Sequence, residues 1–264
     1  MSTVDVGYFG PDSMTWRLHG DPLTMVGGLR ALLLQALHPE AMALLYQRSD
    51  FQSDPWARLE RTVGYVVTVS FRPTAEVDAA AAHVRMVHER LGITDPHQLA
   101  WVHACQVDSF LAAARAGGLP FRRDDADRYV DEQALAAAIV GVPAALTPRS
   151  TDDLTQYFRG MRPHLALTRE AREAARTVIA PPLPVAARYA LPARLGWTTI
   201  SSLAVGLLPR WARRMYRLPP APGAGVATAA GMRALRGAVH TLPARWREGP
   251  AYREAKARAA ALAS

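Results

Sequence analysis

Three observations predict an all-α fold, a single helical domain whose C-terminal end breaks into short peripheral helices. Apolar residues recur at helical spacing through most of the chain, no segment alternates apolar and polar residues over the length of a strand, and prolines sit where helices begin or are interrupted. At 264 residues, 50% of them hydrophobic, the chain is long enough for a well-buried core.

Taken in order, residues 1–22 are punctuated by Gly, Pro and Asp, with Asp12, Ser13, Asp21 and Pro22 as turn or cap signals, and are expected to wrap over the surface. A helix is expected from Thr24, because Leu29, Leu32, Leu33, Ala36, Leu37 and Ala41 keep a helical period; Pro39 should kink or restart it at His38. Further helices are expected at about 55–71, 74–92 and 96–116. Asp95 can cap the last of these, with Pro96 at its first position. Leu99, Val102, His103, Gln106, Val107 and Phe110 then share one face, so His103 looks inward. Ser150-Thr151-Asp152-Asp153 supplies capping chemistry for a helix to about Arg162, and Arg169–Ile179 reads as another. Beyond Ala180, Pro181-Pro182-Leu183-Pro184, Pro192, Pro209, Pro219-Pro220-Ala221-Pro222 and Gly223-Ala224-Gly225 divide the chain into short helices. Two parts follow: a helical domain over 1–180 and a basic extension over 181–264 that packs on it.

Charge is segregated in the same way. Residues 1–154 carry 13 basic against 19 acidic side chains, and residues 155–264 carry 18 against 4, so the net +8 belongs to the C-terminal part. No zinc-finger spacing, RNP-type aromatic motif or recognition-helix unit accompanies these cations, which excludes nucleic acid as the expected partner. Trp197, Trp211, Tyr216 and Arg210-Trp211-Ala212-Arg213-Arg214 instead suggest peripheral contact with a membrane surface. The segment Leu191 to Leu208 is apolar, but Arg194, Gly196 and Thr198-Thr199 interrupt it, so it is not expected to span a bilayer. A lone Cys105 rules out an internal disulfide and multi-cysteine metal sites. With no signal-peptide pattern at the N-terminus, a cytoplasmic location is expected, peripheral to a membrane if the basic end docks there.

Two polar signatures on otherwise apolar helices carry the functional reading. On the stripe Val77, Ala81, Val84, Leu91, His88 falls where a core residue belongs, with Arg85 one turn earlier. On the preceding helix Arg58, Arg61, Thr62 and Tyr65 sit at i, i+3, i+4 and i+7 and share one face. A buried neutral imidazole on a rigid helix suits a metal or haem iron, and arginines can neutralise haem propionates or polarise bound oxygen. His88 is therefore the candidate metal ligand; Arg85, Arg58 and His103 are candidate cofactor contacts. The alternative for an inward histidine is a core residue hydrogen-bonded to a backbone carbonyl. There is no Glu-x-x-His pair for a di-iron bundle, because Arg85 stands three before His88, and no Gly-x-Ser-x-Gly, P-loop or dinucleotide glycine pattern.

The ordered motifs Tyr8-Phe9-Gly10-Pro11-Asp12-Ser13, Trp16-Arg17, Gly28-Leu29-Arg30-Ala31-Leu32, Gln35-Ala36-Leu37-His38-Pro39, Arg58-Leu59-Glu60-Arg61-Thr62 and Trp101-Val102-His103 resemble the catalytic family of MpaB and the latex-clearing protein, a rubber oxygenase. The resemblance covers about residues 8 to 180. It implies a globin-like, all-α core holding haem b, with His88 of an Arg-x-x-His motif as axial ligand and Arg85 beside it. The family's Arg-x-x-Lys-Thr motif on the opposite haem face maps onto Arg58, Arg61 and Thr62. Arg61 replaces the lysine, and a guanidinium that stays protonated is a very poor iron ligand, so the sixth position would be water or open. By the same resemblance, Arg58 and Thr62 would orient dioxygen, an acidic group would assist with Glu40 its nearest candidate, and a hydrophobic olefin such as an isoprenoid would be oxidised or cleaved. Two other functions stay open: a haem- or hydrophobic-ligand-binding protein without oxygenase activity, and a haem-free helical protein that docks on membranes through its basic end.

Overall fold

The computed structural model describes residues 5–48, 53–182, 187–219 and 222–262, and their regular structure is helical throughout, with no strand among them. The first nine helices are α1 (Met14–His19), α2 (Thr24–Gln35), α3 (Pro39–Arg48), α4 (Pro55–Phe71), α5 (Thr74–Leu91), α6 (Pro96–Ala116), α7 (Arg123–Ile139), α8 (Thr151–Met161) and α9 (Arg169–Ile179). Then come α10 (Ala187–Gly206), α11 (Arg210–Met215), α12 (Ala224–His240), α13 (Ala244–Arg247) and α14 (Pro250–Ala260). Local chemistry fixes the starts near the site. The Asp54 carboxylate accepts from the Ala57 amide and Asp95 from that of His97, each followed by proline at the first helical position. Gly92, at φ 68°, closes α5 in the left-handed conformation that glycine adopts without steric cost.

The most extensive packing is α2 against α6. Gly27 permits the close approach, since a Cβ there would lie 2.9 Å from the Ser109 carbonyl oxygen. Leu33, Leu34, Leu37, Trp101, Ala104 and Phe110 meet Tyr129 of α7 and Phe158 of α8 in the central core. Arg30, 3% exposed, bonds to Asp108 at 2.7 Å, Ser109 at 2.6 Å and the Leu207 carbonyl at 2.9 Å, tying α2, α6 and the end of α10 together.

The expected helices over 55–71, 74–92, 96–116, 151–162 and 169–179 are present to within a residue, and Pro39 restarts the chain as α3 after a turn at Ala36–His38. His38 Nδ1 accepts from the Ala41 amide and so caps that start. Two elements differ. Residues 14–19 are helical, with Met14, Thr15, Trp16 and Leu18 buried, rather than a surface wrap; the Glu132 carboxylate receives the Met14 and Thr15 amides at the positive end of α1. The sequence reading also lacks α7, whose long alanine-rich stretch packs on α1 and α6.

The C-terminal helices pack on the same body. Ala204 of α10 and Met232 of α12 share a cluster with Leu23, Val26, Leu29 and Ala113, while Ala251 and Ala255 of α14 pack with Trp16 and Phe71. α10 runs through Pro192, its sixth residue, so the break expected there does not end the helix although the proline gives up one ladder bond. Leu183-Pro184 and Pro220-Ala221 of the expected breaks lie outside the described residues. The aromatics expected to reach a membrane turn inward instead: the Tyr216 hydroxyl donates to the Leu33 carbonyl at 2.6 Å, and Trp211 lies against Phe158. Among the described residues no helix is long and apolar enough to cross a membrane.

Candidate functional site

A cavity of about 210 Å³ opens where α2, α3, α4, α5, α6, α9 and α10 converge. Its walls are mostly apolar: Leu29 and Leu32 from α2, Met42 and Leu45 from α3, Leu59 from α4, Ile93 beyond α5, Leu99 and Val102 from α6, Val178 from α9. Trp56 and Trp197 form one rim, their rings edge-on with centroids 5.1 Å apart. Each indole is anchored, Trp56 Nε1 donating to the Pro182 carbonyl at 2.5 Å and Trp197 Nε1 to the Val178 carbonyl at 3.0 Å. The C-terminal part therefore helps to build the cavity.

Six polar side chains punctuate this lining, and three are satisfied internally. Gln35 Nε2 donates to the Val102 carbonyl at 3.0 Å, Thr62 Oγ1 to the Arg58 carbonyl at 3.0 Å, and Thr177 Oγ1 to the Glu173 carbonyl at 3.1 Å. Two others are not: His88 Nδ1 and Gln98 Oε1 are buried with no hydrogen-bond partner among the described residues. Unpaired polar atoms in an apolar setting cost stability unless a ligand meets them. The sixth is Arg58, close enough to His88 for its charge to bear on the imidazole. Burial first, and the Arg58 guanidinium second, hold His88 below the usual histidine range, so its ring is neutral near pH 7 with a lone pair free to bind a Lewis acid.

Of the residues singled out from sequence, the fold brings Arg58, Thr62 and His88 together and leaves four elsewhere. Arg61 is exposed and does not line the cavity. Arg85 is also exposed and donates to the Ile139 carbonyl, placing its charge at the negative end of α7. Glu40 lies exposed in the first turn of α3. His103 points into the α6–α7 interface and bonds to the Gln133 backbone; burial pushes it down to about 4. That is the core-histidine alternative. Sequence reasoning missed Gln98, although its place four residues before Val102 puts both on one side of α6. It also missed Trp56 and Trp197, for which only their aromatic character was a signal.

No group of three or more His, Cys, Asp or Glu side chains among the described residues could hold a metal ion. His88 is thus a single protein donor in an apolar cavity beside a fixed cation, a set that suits a metal arriving with its own ligands.

Residues 16–243 match the family described as ER-bound oxygenase mpaB/B′ and rubber oxygenase, catalytic domain. The chain belongs to this family. The mpaB/rubber oxygenase match includes Arg58, Thr62, His88 and Gln98 and continues past Ala180 to 243, so it also takes in Trp197 and α12. Membership marks the chain as one of an oxygenase family. No curated protein and no solved structure matches it.

Proposed function

We propose that this protein is a haem b-dependent oxygenase that oxidises or cleaves a hydrophobic olefin such as an isoprenoid. One observation carries the reading: His88, neutral and with its Nδ1 unpartnered among the described residues, lines an apolar cavity together with Arg58 and Thr62. His88 would hold the haem, and Arg58 would lie beside it; bound there, haem supplies iron chemistry for activating dioxygen. The chain's own contributions are then three. His88 stays deprotonated at the ring nitrogen that serves as donor, because burial opposes its charge. Arg58, permanently cationic, orients dioxygen and favours developing negative charge, with the Thr62 hydroxyl one turn away. Leu29, Leu32, Leu59, Leu99 and Val102 exclude water and seat the olefin. Arg61 and Glu40, both exposed and outside the lining, are given no part in this reading.

A peripheral membrane contact belongs to the same reading. Its support is Trp246, 72% exposed between Arg245 and Arg247, on a C-terminal part rich in arginine. A membrane would hold the apolar substrate.

The test is oxygen uptake by haem-loaded protein given farnesol, with carbonyl products read by mass spectrometry. Wild type should consume oxygen and release carbonyl fragments or an oxidised product. Arg58→Ala should keep haem and lose about a hundredfold in rate. Haem binding without oxygen uptake by wild type would favour a non-catalytic binding protein.

A further inference from the structure

Gln98 is 9% exposed, stands at the third position of α6, and is one of the residues that line the cavity with His88 and Arg58. Its Oε1 has no partner among the described residues, although the Gln35 amide, which also lines the cavity, is fixed by the Val102 carbonyl. Its Nε2 could donate to a haem propionate or to dioxygen, but Oε1 can serve neither, because both are acceptors and so is an amide oxygen. His88 lacks a partner that accepts its lone pair; Gln98 lacks one that donates a proton.

We infer that Gln98 selects the substrate, and that the substrate is an uncharged apolar molecule carrying a hydroxyl or N–H donor, an alcohol rather than a hydrocarbon, ether or carboxylate. The inference rests on the apolar-ligand reading of this cavity. A hydroxyl seated against Gln98 would donate to Oε1 and leave the remaining chain to the leucine and valine walls. An ether of the same shape would bury the oxygen still unpaired, and that asymmetry is the source of selectivity. Gln98 is a positioning residue in this scheme, fixing one end of the substrate so that its double bond lies at a set depth.

The experiment is equilibrium dialysis of geraniol and geranyl methyl ether against the protein as purified, beside Gln98→Leu and Gln98→Met, with helicity checked by circular dichroism. Wild type should bind geraniol about tenfold more tightly than the ether. Both variants should bind the two ligands equally, with ether affinity unchanged. Equal affinities in wild type, or a preference that persists in both variants, would overturn the role of Gln98 while leaving the cavity as an apolar site. If wild type binds neither molecule, the apolar-ligand reading itself fails and the inference with it.

Discussion

Between α1, α6 and α7 the imidazoles of His19 and His103 have partners, whereas in the cavity under α4 and α5 two buried polar atoms have none among the described residues. His19 Nδ1 lies 2.6 Å from Ser70 Oγ and its Nε2 2.9 Å from the Tyr129 hydroxyl, and His103 bonds to the Gln133 backbone. His88 Nδ1 and Gln98 Oε1, on one cavity wall each, have none. The other buried orphans among the described residues, Trp16 Nε1, Tyr65 Oη, Arg247 Nε and Arg258 Nε, all lie away from it. Burial alone therefore does not mark a site, since all three histidines are held below their usual range. What marks this one is the pairing, because a fold has little reason to strand two buried polar atoms in the lining of one apolar cavity unless something arrives to meet them.

Acid tests the partnered region hardest. Burial holds His19 down to about 3 and His103 to about 4 from 6.5, so the unfolded chain binds more protons below pH 6.5. Their contribution to stability is full above that pH and is lost as pH falls toward the folded values, by up to about 1.4 kcal/mol per pH unit for each group. Urea unfolding across pH 4–7 should show this slope, and His19→Asn should shallow it; a flat profile would break the contrast. Arg30→Met, which removes the bonds to Asp108, Ser109 and the Leu207 carbonyl, should cost about 1–3 kcal/mol in the same assay. Tyr129→Phe, removing the hydroxyl from His19 Nε2, should cost about 1–3 kcal/mol and leave haem retention unchanged. The cavity should respond in the opposite sense. Gln98→Leu replaces an unpaired amide with apolar surface and should leave ligand-free stability unchanged or raise it by about 0.5 kcal/mol. A loss there as large as that of Tyr129→Phe would mean Gln98 is structural after all.

Much of this was legible in residue spacing. Asp54-Pro55 and Asp95-Pro96 announce the starts of α4 and α6, and helical period aligns Arg58 with Thr62 and points His88 inward. Period states which face a residue shares but not which neighbour that face will meet. Arg85 and His88, one turn apart, part company because α7 offers the Ile139 carbonyl to one and the cavity opens before the other. His103 was inward as expected, yet toward Gln133 rather than a cofactor. α1 was hidden by its Gly and Asp flanks; what makes it helical is the tertiary contact with Glu132. Trp197 could not be assigned to the site from sequence, for its ring reaches Trp56 only once α10 folds back on α4.

The visible spectrum of protein produced with haem supply, before and after reduction, beside His88→Ala and His103→Ala, tests the assignment most directly. A Soret band present in wild type and His103→Ala but lost in a folded His88→Ala is the expected result. A folded wild type without the band, or a band that survives intact in His88→Ala, would contradict it.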